Sequence, residues 1–174
     1  MSKVLAVDDE AYVLRALQRE LRAQPFDLVT ESDSLAALER LRHEEFDVVI
    51  SDCRMPGIDG VRLLTEVRRR HPNTVRMMLS GHADMQDLLM SINEAGIYRF
   101  IPKPWSMPEL NAAMREALAQ RRVLLENDRA KQIARDAEET ALRRNLLDDA
   151  MAEWAAPDPD ATAVSSEPVR WGRS

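Results

Sequence analysis

The 174-residue sequence contains one cysteine, five glycines and only 5% aromatic residues. A single cysteine, Cys53, excludes an intrachain disulfide, and the absence of a Cys/His cluster argues against a zinc site. The longest apolar runs, such as residues 48–50 and 77–79, are far too short to cross a bilayer. The N-terminus turns acidic after one short apolar run, so we expect no signal peptide. These absences predict a cytoplasmic protein without a membrane segment.

Basic charge is also scarce, with 24 lysines and arginines against 30 acidic residues and a net charge of −6. This balance argues against general nucleic-acid binding through a basic surface. Hydrophobic residues make up 45%, enough to bury a core and to exclude wholesale disorder. Charged residues make up 31%, above the usual quarter, which favours a long solvated helix.

Proline and glycine are absent from residues 109–156, and a stretch without these breakers is what one long helix requires. Prolines at positions 157, 159 and 168 then lie among small and polar residues, which is typical of a flexible tail. The sequence therefore predicts a compact domain at residues 1–121, a helical extension at 122–155 and a flexible tail at 156–174.

The first 120 residues alternate between two hydrophobic periods. Each of five short apolar runs is followed by apolar residues at helical spacing, as Leu14, Leu17 and Leu21 follow the first run. Strands that alternate with amphipathic helices form right-handed βαβ units. We therefore predict an α/β fold, a doubly wound five-stranded parallel sheet with a long C-terminal helix.

Polar side chains follow four of the five predicted strands. The first strand ends in Asp8 and Asp9, the third in Asp52, the fourth in Ser80 and the fifth in Lys103. Because ligands of an open parallel sheet bind beyond the carboxyl ends of its strands, we expect these side chains to converge.

The chemistry of this set indicates an aspartyl-phosphate site. Three carboxylates repel each other, and a hard divalent cation is the natural compensation, with oxygen donors favouring Mg²⁺ over zinc. Lys103 and Ser80 fit a phosphoryl group, the first by neutralising its oxygens and the second by donating a hydrogen bond. Asp52, the central carboxylate, is then placed to be the nucleophile.

Four ordered motifs resemble the receiver domain of two-component response regulators: residues 7–10 (VDDE), 51–60 (SDCRMPGIDG), 79–81 (LSG) and 103–104 (KP). The resemblance covers residues 3–121 and implies a flavodoxin-like (βα)5 fold. It implies that Asp52 accepts a phosphoryl group from a histidine kinase. It also implies that Asp9, Asp52 and the backbone carbonyl of Arg54 hold Mg²⁺, while Asp8 acts through a metal-bound water.

The same resemblance implies a switch. Ser80 and Lys103 would contact the phosphoryl oxygens, Phe100 matches the aromatic switch position, and the Lys103–Pro104 bond is commonly cis in this family. Phosphorylation would draw Ser80 inward and let Phe100 repack, which remodels the surface of helix four, strand five and helix five. Arg54 and His82 match the variable positions that overhang the phosphoryl group, and we expect Arg54 to slow its hydrolysis.

Residues 92–105 (INEAGIYRFIPKPW) look like a narrower set of receivers, found before HD-GYP phosphodiesterase domains for cyclic-di-GMP or before ATPase-type transcription activators. After residue 105 the sequence has neither a catalytic His-Asp pair nor a phosphate-binding glycine-rich loop. We therefore expect no DNA-binding or enzymatic output domain. The downstream protein partner stays unnamed, with cyclic-di-GMP signalling as one setting.

Residues 106–109 (SMPE) form a capping box that starts the long helix, which would span roughly 70 Å if it continued to about residue 154. Asn127 interrupts an approximate heptad made by Val123, Ala130, Ala134, Ala137 and Ala141. The apolar line then shifts to Leu142, Leu146, Leu147, Met151 and Trp154. Three i,i+4 charge pairs would support an exposed helix: Arg122–Glu126, Glu139–Arg143 and Arg144–Asp148. A weak parallel coiled coil that forms a homodimer, a helix that docks in a partner's groove and a solvated extension remain alternatives.

Two other functions compete with the phosphorylated switch. An aspartate-nucleophile Mg²⁺-dependent phosphohydrolase also uses a Ser/Thr and a Lys beside a parallel sheet, but its nucleophile lies on the first strand in an Asp-x-Asp-x-Thr pattern. The first strand here ends in Asp8-Asp9-Glu10-Ala11-Tyr12. A receiver-like scaffold that no longer switches is the second alternative, and the complete set of acidic, serine and lysine residues argues against it.

Overall fold

The computed structural model of the protein describes residues 1–81 and 94–155. Its elements are β1 (Ser2–Val7), α1 (Ala11–Leu21), β2 (Phe26–Glu31), α2 (Ser34–His43), β3 (Val48–Asp52), α3 (Gly60–Arg70), β4 (Val75–Ser80), β5 (Arg99–Pro102) and α4 (Met107–Ala155). The fourth helix that the sequence predicts falls on residues 82–93, outside the described residues.

The five strands form one sheet in the order β2-β1-β3-β4-β5, and every neighbouring pair is parallel. The order reverses direction beside β1, so that β1 and β3 lie next to each other at the topological switch point. This confirms the predicted doubly wound α/β fold with a long C-terminal helix. It also brings the carboxyl ends of β1 and β3 together, where Asp8 and Asp52 lie.

Two apolar clusters fill the two faces of the sheet. On one face α1 and the first turns of α4 pack on the strands, with Leu17 and Met114 fully buried. On the other face α2 and α3 pack on the strands, with Leu41 and Leu64 buried. A sheet that is covered on both sides has strands that are apolar throughout, which explains why 48–50 reads as a continuous apolar run.

The buried face of α2 differs in one position from its apparent pattern. Leu35 lies at helical spacing with Leu38 and Leu41, yet its side chain is 62% exposed. Ala37 and Leu41 are buried in its place, and Leu38 is partly buried. At the start of the helix, Asp33 accepts a hydrogen bond from Ala36 N, which caps the first turn.

The start of α4 has the predicted capping box. The Glu109 backbone N–H donates to Ser106 Oγ at 3.3 Å, and the Ser106 backbone N–H donates to Glu109 Oε2 at the same distance. This reciprocal pair satisfies donors that the first turn of a helix leaves without partners. The helix then runs without interruption from Met107 to Ala155.

The chain divides into two units, one from Met1 to Asp128 and one that begins at Arg129. In the first unit α4 is anchored by Arg121, which pairs with Asp47 at 3.1 Å. In the second unit every side chain from residue 129 to 154 is exposed. The three predicted i,i+4 charge pairs of α4 do not form ion pairs: Arg122–Glu126, Glu139–Arg143 and Arg144–Asp148. No helix in the described parts of the chain is long and apolar enough to span a membrane.

Candidate functional site

The carboxyl edge of the sheet gathers the polar residues that the sequence predicts there. Asp8 follows β1, Asp52 is the last residue of β3, Ser80 is the last residue of β4, and Lys103 follows β5. Asp8 is fully buried, and Asp52 and Ser80 are each 7% exposed. Buried polar side chains are costly unless they have partners, so this edge is a built site rather than a chance grouping.

Lys103 connects the carboxylates of two strands. Its Nζ lies 2.6 Å from Asp52 Oδ1 and 2.7 Å from Asp8 Oδ2, and 3.8 Å from an oxygen of Glu10. The Lys103 backbone N–H donates to the carbonyl of Ser80 at 2.8 Å, which ties the loop after β5 to the end of β4. One ammonium group therefore bridges the two buried carboxylates at the centre of the edge.

Burial and charge act in opposite directions on these groups. Burial raises the pKa of Asp8, although hydrogen bonds from Lys103 and from the Glu10 backbone N–H oppose the shift. Burial also works against the Lys103 ammonium, but hydrogen bonds to Asp52 and Asp8 outweigh it and raise the pKa of Lys103. Lys103 therefore carries its positive charge at neutral pH and attracts anionic oxygens to this edge.

The loop after β3 holds the Asp52 carboxylate in place. The Arg54 backbone N–H donates to Asp52 Oδ2 at 2.9 Å, while Oδ1 faces Lys103. Ser51 Oγ donates to the Asp52 carbonyl at 2.9 Å. Gly60 begins α3 against this carbonyl, and a Cβ at that position would lie 1.9 Å from it. Only glycine lets α3 begin so close to Asp52.

The other predicted metal-site residues lie at the same edge but do not form a closed cluster. Asp9 follows Asp8 and is exposed, and Arg54 follows the end of β3. Among residues 1–81 and 94–155, no three Asp, Glu, His or Cys side chains are grouped so that they could hold a metal ion. The structure brings Asp8 and Asp52 together through the Lys103 ammonium and leaves Asp9 facing solvent.

The predicted switch residues occupy neighbouring strands. Phe100 lies in β5 opposite Met78 of β4 and is partly buried against the cluster under α2 and α3. Ser80 lies two residues further along β4, paired with Pro102. The Lys103–Pro104 peptide bond is cis, as the family resemblance implied. His82 lies outside the described residues.

Two features of the site region were not recognised in the sequence. Trp105 donates its indole N–H to Glu20 of α1 at 2.6 Å, across 85 positions of sequence. Tyr12 and Trp105 also line a groove of about 460 Å³ that has Lys103 in its wall. No local pattern reveals a contact between such distant residues. Glu10, by contrast, directly follows Asp8 and Asp9 in the sequence, so its position beside Lys103 could have been predicted from the end of the first strand.

Cys53 is buried in the core cluster beneath α2 and α3. Its backbone N–H donates to the carbonyl of Leu79 at 3.0 Å, which continues the pairing of β3 with β4 beyond Asp52. The sulfur is therefore part of the packing behind the site, on the side that strand alternation predicts.

Comparison with known proteins agrees with this geometry. Residues 4–115 match the response regulator receiver domain family, and the chain belongs to that family. The hydrogenase transcriptional regulatory protein HoxA of Cupriavidus necator is 42% identical over 115 residues, which are 66% of this chain and 24% of HoxA. The DNA-binding transcriptional regulator NtrC of Escherichia coli is 32% identical over 67% of this chain and 24% of NtrC.

Solved structures give the same result. The signal receiver domain of an HD domain-containing protein from Pseudomonas fluorescens Pf-5 matches with a TM-score of 0.69 and 36% identity, over 72% of this chain and 92% of that domain. A response regulator receiver domain protein from Clostridium thermocellum matches with a TM-score of 0.67 and 27% identity, over 71% of this chain and 99% of that one. The chain spans about a quarter of the length of the curated relatives HoxA and NtrC.

Proposed function

We propose that the chain is a phosphorylation-switched response regulator in which Asp52 accepts a phosphoryl group from a histidine kinase. Receiver domains are phosphorylated on aspartate by such kinases, and the assignment to Asp52 is ours. The observation that carries it is the position of the Asp52 carboxylate at the end of β3, 7% exposed and 2.6 Å from the Lys103 ammonium. Asp8, the other buried carboxylate, is fully covered.

The transfer requires a nucleophile, neutralisation of the phosphoryl oxygens and a leaving group. An oxygen of Asp52 forms the new P–O bond while the P–N bond to the donor's imidazole breaks and its electron pair stays on that nitrogen. Lys103 is placed to neutralise a phosphoryl oxygen, because its Nζ already lies beside Asp52 Oδ1. Ser80, at the end of the adjacent strand, is placed to donate a hydrogen bond to the transferred group.

Receiver domains generally bind Mg²⁺ at the phosphorylation site, and the residues here fit that ion. Asp8, Asp9, Glu10 and Asp52 contribute four carboxylates to one edge against the single ammonium of Lys103, which leaves an excess of anionic oxygen donors. Mg²⁺ is bound by one or two carboxylates and keeps several waters, so it does not need three side chains around one point. We propose Asp9, Asp52 and the Arg54 carbonyl as ligands, with Asp8 acting through a bound water. The ion would neutralise charge that develops on the phosphoryl group.

We propose that Ser80 and Phe100 carry the switch. Both lie on strands next to the site, and Phe100 is only partly buried. A phosphoryl group that draws Ser80 toward Asp52 would open space for Phe100 and alter the surface around β5 and α4.

The proposed output is control of self-association or of a protein partner through α4, with no catalytic or DNA-binding step within this sequence. The exposed apolar side chains of α4 beyond Asp128 support this proposal, because such side chains mark interaction surfaces. We place the protein in the cytoplasm, as its relative NtrC is named a DNA-binding regulator. The match to the receiver of an HD domain-containing protein is consistent with a downstream partner in cyclic-di-GMP signalling.

The proposal is tested by incubating the protein with a small phosphodonor such as acetyl phosphate and Mg²⁺, and mapping the acyl phosphate after borohydride reduction. We expect modification at Asp52 alone, lost when Mg²⁺ is chelated. Modification at Asp8, or catalytic turnover of a generic phosphate ester, would instead favour the phosphohydrolase.

A further inference from the structure

The second unit exposes large apolar side chains along a single helix. Leu147, Met151 and Trp154 are 58%, 68% and 90% exposed. No two charged side chains of residues 129–154 form an ion pair with each other. Because a helix gains most of its stability from packing an amphipathic face, this face is built to be covered.

The apolar side chains of the last turns share one face with two opposite charges. At 100° per residue, an arc of about 140° contains these positions of residues 137–154: Ala137, Thr140, Ala141, Arg144, Leu147, Asp148, Met151 and Trp154. Leu142 and Leu146 fall on the opposite side. Arg144 lies near the middle of the arc, and Asp148, one turn later, lies about 40° further round toward Ala141.

The same face contains a depression. Ala137 and Ala141, with Asp136, Thr140 and Arg144, line a shallow groove of about 370 Å³. The small alanine side chains make the hollow, and Arg144 forms one end of it. A surface with a hollow at one end and a projecting side chain, Met151, at the other is complementary to itself when turned around.

We propose that this face binds the same face of a second copy of the chain in the antiparallel orientation, with Arg144 of each copy opposite Asp148 of the other. The two-fold symmetry then forms this ion pair twice, near the centre of the contact. The same offset places Met151 of one copy opposite Ala141 of the other, where it fills the groove. The two Leu147 side chains meet beside the axis.

Charge and size both disfavour the parallel arrangement. In a parallel pair in register, each residue faces its own copy, so that Arg144 meets Arg144 and Asp148 meets Asp148. Like charges in contact are repulsive, and Ala141 against Ala141 leaves the groove empty. In the antiparallel pair, opposite charges and unequal side chains face each other. A central ion pair of this kind fixes register more than it adds stability.

This inference rests on the proposed function, since it names the contact through which α4 would act. The two remain separable. Phosphoryl acceptance at Asp52 does not involve residues 137–154, so a variant with a changed contact still accepts the phosphoryl group.

Charge exchange tests the contact in the full chain. We would measure self-association by sedimentation over a range of concentrations for Arg144→Glu, Asp148→Arg and the double variant, with and without beryllofluoride and Mg²⁺. Each single variant should weaken the dimer by at least about tenfold, and the double variant should restore it to within about threefold. Arg135→Glu and Asp149→Arg, which make the same charge changes on the opposite side of the helix, should leave it unchanged.

Single variants that associate like the wild type, or a double variant that stays weak, would overturn the charge pairing. Phosphorylation by acetyl phosphate serves as the second readout. It should proceed equally in Arg144→Glu and the wild type, and its loss across all variants would count against the proposed function instead.

Cysteine crosslinking tests the orientation. Cys53 is buried, so that new surface cysteines report on the helix. Under mild oxidation, a mixture of the Ala141→Cys and Met151→Cys variants should form mixed disulfides, while Ala141→Cys alone should not crosslink. Crosslinking of Ala141→Cys to itself in preference to the mixed pair would show a parallel dimer and reject the antiparallel arrangement.

Discussion

The two units of this chain differ in how their apolar and polar side chains find partners. In the first unit, residues 1–81 and 94–128, no buried side-chain nitrogen or oxygen lacks a hydrogen-bond partner, and two apolar clusters cover the sheet. In the second unit, every side chain from residue 129 to 154 is exposed, and no two charged side chains among them form an ion pair. The first unit covers its apolar side chains internally, whereas the second exposes an apolar face. We propose that a signal generated at Asp52 in the first unit is read out as association through the second.

The largest effect is expected at the phosphoacceptor. Asp52→Asn should lower phosphorylation by acetyl phosphate at least about 100-fold, because the amide lacks a nucleophilic carboxylate oxygen. Phosphate-affinity electrophoresis measures the modified fraction. Asp27→Asn, at an exposed position of β2, is the matched control and should be modified like the wild type. Equal modification of both variants would show that another residue accepts the phosphoryl group.

The next largest effect is expected when the second unit is removed. A chain that ends at Asp128 should lose self-association, while the free energy of unfolding of the first unit changes by less than about 1 kcal/mol. Urea titration followed by tryptophan fluorescence measures the second quantity, with Trp154→Phe and Trp171→Phe in the full chain so that both proteins report through Trp105 alone. If the shortened chain still associates, the apolar face of α4 is not the contact.

The packing of the first unit predicts a local weakness at Gly60. In Gly60→Ala the new Cβ would meet the Asp52 carbonyl, which lies 1.9 Å away, so the start of α3 must move at a cost of about 3 kcal/mol. Gly57→Ala is the control, since nothing lies within 4 Å and only its φ of +80° opposes a side chain, at about 1 kcal/mol. Thermal unfolding distinguishes the two. Equal losses in both variants would mean that the close approach to Asp52 is not rigid.

The smallest effect is expected at Arg54, two residues beyond the phosphoacceptor. If its side chain shields the phosphoryl group from water, Arg54→Ala should lose phosphate roughly two- to fivefold faster, a change of about 1 kcal/mol or less in the barrier. The decay of the purified phosphoprotein gives the rate, with Arg62→Ala on the exposed side of α3 as the control. An unchanged lifetime in Arg54→Ala would reject the shielding.

The sequence predicted the parts of this molecule that local patterns encode. The alternation of strands and helices predicted the parallel sheet. Because parallel strands bring their carboxyl ends to one edge, the strand ends predicted that four side chains lie together: Asp8, Asp52, Ser80 and Lys103. The capping box at Ser106 was recognisable because its two partners, Ser106 and Glu109, lie only three residues apart in the sequence.

What the sequence left open depends on contacts between distant residues. The hydrogen bond from Trp105 to Glu20 and the ammonium of Lys103 between Asp8 and Asp52 join positions far apart in the chain. The exposure of Leu35 shows a second limit, because helical spacing alone does not fix which flank of an apolar stripe turns inward. The roles of the site residues in phosphoryl transfer remain predictions.

Control of self-association by Asp52 is tested by the solution mass of the full chain in light scattering, with and without Mg²⁺ and beryllofluoride, which stands in for the phosphoryl group. We predict that beryllofluoride changes the mass of the wild type and leaves that of Asp52→Asn unchanged. In the proposed switch, only beryllofluoride bound to Asp52 alters the surface formed by β5 and α4. An equal change in both proteins, or no change in a wild type shown to bind beryllofluoride, would contradict control of self-association by Asp52.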